Sequence, residues 1–164
     1  MSASHAVFRC DASPTIGVGH LIRCGVLADA LQAKGWTCSF VGRPDTVSFA
    51  CGLEFFHANV DSLGARIADE AYWLVQRYPA GVDLLVVDHY EWSAELEARC
   101  DGWARRLLVI DDRAMTSHHC HVLLDQTLGR DVAAYANLVP PSCEVIAGAH
   151  YALVRSTFPE ARTR

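Results

Sequence analysis

The stretch Ala6-Val7-Phe8-Arg9-Cys10-Asp11-Ala12-Ser13-Pro14-Thr15-Ile16-Gly17-Val18-Gly19-His20-Leu21-Ile22-Arg23 decides the fold. It begins as a short apolar run that ends in a carboxylate. It passes through turn chemistry with two glycines, and it opens a segment with Leu21, Cys24, Ala28 and Leu31 at helical spacing. Lys34 and Gly35 close that helix. Working outward, further strands are expected at Thr37 to Val41, Leu84 to Val87, Leu107 to Ile110, Val122 to Leu124 and Cys143 to Ile146. Helices are expected at Asp61 to Tyr78 and Trp92 to Cys100, with a helical turn over Val132 to Asn137. Strands that are continuously apolar are covered on both faces, and strands alternating with helices imply a parallel sheet. The fold class expected is therefore α/β: a Rossmann-like parallel sheet with helices on both faces.

Composition narrows the functions open to such a fold. The 164 residues suit one domain, or at most two small ones. The hydrophobic share is 51%, or roughly 55% once Gly replaces Tyr in the count, against about 45–50% for soluble domains. That surplus points to a doubly covered sheet or to a surface that docks on something else. No apolar run approaches the ~18 residues of a membrane span, and no signal-peptide pattern opens the chain. A net charge of −5 argues against nucleic acid and anionic membrane as partners. Seven cysteines with no Cys-x-x-Cys pair read as reduced thiols, and the expected location is cytoplasmic.

Carboxylates stand at the ends of four strands: Asp11, Asp88, Asp111 with Asp112, and Asp125. In a parallel sheet they gather at the carboxyl edge, where α/β proteins bind ligands. Each alone is as well explained as a cap on the following turn. Gly17 and Gly19 let the backbone approach a phosphate or sugar closely. The dinucleotide fingerprint is not met, because Ile22 stands where a third small residue is needed and Val41-Gly42-Arg43 replaces the acidic residue after the second strand. A P-loop is absent too, so no nucleotide cofactor is expected. His20, in the first turn of a helix at the same edge, is the candidate base. The helix dipole disfavours a charged ring there while Asp11 favours one and is a candidate to fix its tautomer. Asp88-His89-Tyr90 reads equally as a turn or as a place where Tyr90 meets a sugar. His118, His119 and His121 look like metal ligands at first sight, but neighbours in extended chain face opposite ways, so a polar strand entry is expected and no metal.

Taken together, the run from Asp11 to Cys24, Asp88-His89-Tyr90, Val109-Ile110-Asp111-Asp112, Leu123-Leu124-Asp125-Gln126 and Gly148 to Arg155 resembles the UDP-sugar hydrolases of pseudaminic acid biosynthesis. These belong with spore-coat polysaccharide proteins and are similar in fold to two-domain GT-B glycosyltransferases. The resemblance implies cleavage of UDP from a diacetamido-trideoxy hexose by water attacking the anomeric carbon, with inversion. It makes His20 the base and Tyr90 a sugar-facing residue. It also makes Asp11, Gly17, Gly19, Arg23, Asp88, Asp111 and Gln126 substrate-binding. It implies that residues 1–158 are the N-terminal half of a GT-B-type fold and 159–164 a tail or linker. A C-terminal nucleotide-binding domain, or a partner chain, would then be the missing partner. The chain departs from the usual family residues at Arg113, His121, Thr127 and Thr157. A glycosyltransferase of the same architecture and a non-catalytic half that needs a partner chain are the alternatives. A phosphoacceptor receiver domain fails because it needs a Lys after its last strand and Lys34 is the only one.

Overall fold

The structure, a computed structural model, describes residues 3–52, 58 and 60–155. Seven strands form one parallel sheet: β1 (His5–Cys10), β2 (Thr37–Gly42), β3 (Val60–Ser62), β4 (Leu84–Asp88), β5 (Leu107–Ile110), β6 (Val122–Asp125) and β7 (Glu144–Ala147). Their order is β3-β2-β1-β4-β5-β6-β7, every pairing parallel. The chain thus winds outward from β1 in one direction, then returns and winds in the other. The crevice between β1 and β4 at their carboxyl ends is the switch point of the topology, where ligands bind in such sheets.

The apolar strands are buried on both faces, as their composition requires. Ala6, Phe8, Phe40, Val86, Ile110 and Leu124 pack against Leu21, Cys24 and Ala28 of α1 (Gly19–Gln32) and Ala50 of α2 (Pro44–Cys51). Val7, Val41, Leu85, Val87, Val109 and Leu123 pack on the other side, against Ala71 and Leu74 of α3 (Glu70–Arg77) and Leu96 of α4 (Ala94–Ala98). Successive residues of one strand serve opposite cores, the period-two consequence of the pleat. Phe8 and Phe40 stack at 4.8 Å between ring centres, tying β1 to β2.

The region from Asp61 to Tyr78 is not one helix. Its first residues form the edge strand β3, paired to β2 through Phe40, Val41 and Gly42, and Leu63 N–H extends the ladder to the Gly42 carbonyl. The helix begins only after a 3-10 turn at Ile67–Asp69. An open sheet edge outcompetes helical periodicity here, and Gly64 separates the two elements. The helix α2 was not anticipated, because Pro-Asp-Thr reads as turn chemistry. Pro44 sits in its first turn, where its missing N–H costs nothing, behind an extended Arg43. The helix expected from Trp92 shrinks to Ala94–Ala98, with the Ser93 hydroxyl accepting the Leu96 N–H. The turn expected near Val132 is a 3-10 helix at Val132–Tyr135.

Candidate active site

Asp88 ends β4 directly beside Cys10 of β1 and is 1% exposed. Arg23, one turn into α1, grips it with two hydrogen bonds, Nε to Oδ2 at 2.5 Å and Nη2 to Oδ1 at 2.6 Å. Burial pushes the Asp88 carboxyl up, but these bonds and one from His20 outweigh it and hold it below the ordinary carboxylate range. An ionised carboxylate only accepts, so at 2.6 Å His20 Nδ1 must be the donor to Asp88 Oδ1. In the neutral ring Nε2 then carries the lone pair, and it takes no hydrogen bond from any described residue. The second contact of Nδ1, to Arg23 Nη2 at 3.1 Å, is an adjacency of two donors on one carboxylate oxygen.

His20 borders a cleft of about 410 Å³ together with Asp11, Ile16, Arg43, His89 and Tyr90, within the range of small-molecule sites. A larger cavity of about 990 Å³ opens at the amino edge of the sheet, between Gly81, Trp103 and His121. No unpaired buried polar group of the described residues lines it, whereas the smaller cleft is bordered by His20, whose ring is fixed by Asp88. The loop that leads to His20 explains its position. Gly17 has φ +86°, which a side chain would oppose, and its N–H closes a turn on the Ser13 carbonyl at 2.7 Å. Above Gly19 a Cβ would meet nothing within 4 Å. The protein's own packing does not demand glycine there, and the open space is available to a ligand.

The other expected residues separate into groups. Tyr90 stands at the cleft, its ring edge-on to His20 at 5.0 Å, but its hydroxyl donates to Asp112 at 3.0 Å. Arg113 lies over the Tyr90 ring at 3.5 Å, a cation–π contact. Asp11 does not orient His20, as the sequence had suggested; Asp88 does. Asp11 instead accepts bonds from Arg9, the Arg43 N–H, Thr46 and His89. Burial opposes the Asp11 charge, yet His89 and Arg9 hold the carboxyl well below its usual range. Asp111 caps its own turn, accepting the N–H groups of Arg113 and Ala114. Gln126 Oε1 accepts the Leu153 N–H, and its Nε2 is a buried donor without a partner among the described residues. Both lie at the same edge of the sheet, just after β5 and β6, away from the residues that border the His20 cleft.

A second ion cluster escaped sequence reading. Arg9, fully buried in β1, donates through Nε and Nη2 to Glu70 of α3, at 2.8 and 2.9 Å, while Trp92 Nε1 donates to the same carboxylate at 2.6 Å. The signal was a charge inside an apolar strand, which demands a buried counter-charge.

The histidine-rich segment is wired to carboxylates. His118 bonds Glu97 at 2.9 Å and lies 3.6 Å from Asp111, His119 bonds Asp101, and His121 Nδ1 accepts the Leu107 N–H. Burial lowers the tendency of His118 to charge, but Asp111 and Glu97 outweigh it and raise its pKa to about 9. A raised value means stability that is complete below the ordinary 6.5 and is lost as pH rises through about 9. Denaturant titrations from pH 6 to 10 are expected to lose about 2 kcal/mol over that window, and His118→Gln to flatten the alkaline slope.

No protein-family model matches the chain. It is 31% identical over 158 aligned residues to the UDP-2,4-diacetamido-2,4,6-trideoxy-beta-L-altropyranose hydrolase of Campylobacter jejuni. The match takes in 93% of this chain and 52% of the relative, so the chain spans about half the length of the curated relative it matches. The resemblance carried by the strand-end motifs therefore extends along nearly the whole chain, and it is a resemblance to a UDP-sugar hydrolase.

Proposed function

We propose that the chain is the sugar-side half of a nucleotide-sugar hydrolase, with a GT-B-like architecture, and that His20 is its base. The observation that carries this is the buried Asp88, which holds Nδ1 as a donor and leaves the Nε2 lone pair to the cleft. A water placed between Nε2 and the anomeric carbon loses a proton to Nε2 as its oxygen forms the new C–O bond. The bond from the anomeric carbon to the diphosphate oxygen breaks, and its electron pair leaves with UDP. Attack opposite the leaving group inverts the anomeric centre. The imidazolium that forms is stabilised by Asp88, itself kept ionised by Arg23. UDP is a good leaving group, so its departure needs little help from a general acid.

The division of labour is that a nucleotide-binding half, beyond this chain or on a partner chain, holds the uridine and diphosphate. Asp11, Gly17, Gly19, Tyr90 and Arg23 shape the sugar side, while Asp111 and Gln126 act by holding the neighbouring loops. The test is to supply the UDP-diacetamido sugar to the protein carrying both halves and follow products by NMR. UDP with inverted free sugar is expected; a retained anomer, or transfer to an acceptor hydroxyl without hydrolysis, overturns the reading. For the 164-residue chain alone, calorimetry is expected to show weak or no UDP binding. Micromolar binding would place the nucleotide site on this half instead.

A further inference from the structure

Arg43 ends the turn after β2, at the crevice position where dinucleotide-binding sheets read a substituent of their ligand. Its guanidinium makes no hydrogen bond to a described residue, and unlike that of the fully buried Arg9 it is open to the cleft. Arg23 spends its donors on Asp88 and Asp112, and Arg9 on Glu70 and Asp11. Arg43 lies 3.7 Å from Asp11 and 3.6 Å from Glu70, beyond hydrogen-bond length, and its side chain is 42% exposed while bordering the His20 cleft. Those two carboxylates hold the fork in place without consuming its N–H groups.

We propose that Arg43 is a specificity-determining residue of the cleft, donating its paired N–H groups to an uncharged acceptor, the amide carbonyl of an acylamino group on the bound sugar. This rests on the nucleotide-sugar reading above. Charge selects against an anion. Arg9 and Arg43 are matched by Asp11 and Glu70, and His89 is neutral because its Nδ1 accepts the Glu91 N–H while Nε2 donates to Asp11. The cluster therefore has no surplus positive charge, and a phosphate at Arg43 would sit beside two carboxylates. A hydroxyl satisfies the fork less well, since its own proton needs an acceptor, and the carboxylates beside Arg43 are already engaged, Asp11 by Arg9, the Arg43 N–H, Thr46 and His89, and Glu70 by Arg9 and Trp92. An amide carbonyl needs only donors, and two N–H groups in a rigid plane match it.

The test uses side-chain N–H resonances of the 164-residue chain. It is titrated with the methyl glycoside of a 2,4-diacetamido-2,4,6-trideoxyhexose, with the counterpart bearing hydroxyls in place of both acetamido groups, and with inorganic phosphate. The diacetamido sugar is expected to shift Arg43 Nε–H, and Arg43→Lys, which keeps the charge and loses the fork, to weaken it at least about tenfold. The hydroxyl sugar is expected to bind both proteins alike. A shift of Arg43 by phosphate but not by the amide sugar overturns the inference. So does a sugar that moves His20 and Tyr90 with equal affinity for Arg43→Lys, in which case the sugar-site reading stands without it. If the diacetamido sugar moves no cleft resonance, that reading falls and the inference falls with it.

Discussion

Replacing His20 by Asn in the protein carrying both halves is expected to slow UDP release by about 10²–10⁴-fold, the usual worth of a positioned base. KM is expected to change little, because the proton moves only in the transition state and the ring is not a main binding contact. Asp88→Asn separates orientation from basicity. An amide can donate to Nδ1 and so turn the imidazole to the tautomer that presents N–H, not a lone pair, to the water. A loss comparable to that of His20→Asn is expected, with the acidic limb of the pH–rate profile displaced. Wild-type turnover in His20→Asn, measured by coupled UDP detection, would falsify the assignment of the base.

The second large effect is on stability. Glu70→Gln is expected to destabilise the fold by about 3–5 kcal/mol, because Arg9 is left buried with half its compensation. For a chain of this length that lowers the thermal midpoint by on the order of 10 °C. Arg9→Met together with Glu70→Leu removes both charges, and much of the loss is expected to return, since a buried pair contributes little net stability against apolar residues of similar volume. The two Arg9 bonds to Glu70 link β1 to α3, and Trp92 adds the loop after β4. A midpoint for Glu70→Gln within a degree of wild type would mean that water reaches Arg9.

The sheet was legible because strands covered on both faces leave a mainly apolar signature, which β4, β5, β6 and β7 carry in short continuous runs and β1 and β2 carry with Arg9 and Ser39 as interruptions. The convergence of Asp11, Asp88, Asp111 and Asp125 at one edge followed from parallel strands alone. What could not be read is which carboxylate serves His20. Asp11 is nearer in sequence, but β4 lies beside β1, and the register sets Asp88 opposite Cys10. Adjacency across a sheet is a property of strand order, and short apolar runs do not encode order locally. Asp111 and Asp125 turned out to be turn caps, the ordinary use of an aspartate after a strand. Glu70 was invisible because a glutamate at a helix start is common; only Arg9, out of place in its strand, pointed to it. Arg43 was read as a missing acidic residue, and its position at the cleft emerged only with α2 in place.

The strand order also governs the sequence of events by which the molecule is built. The unit from β1 to β2 is complete by Gly42, yet the other edge of β1 stays unpaired until Leu84 to Asp88 has been made. Until that late strand docks, its neighbour exposes a row of free peptide groups, an invitation to wrong partners. The same docking delivers Asp88 to His20 and Arg23. Closure of the sheet and assembly of the His20–Asp88–Arg23 cluster are one step, so a chain caught before it lacks both at once. The geometry around His20 is thereby tied to completion of the centre of the sheet.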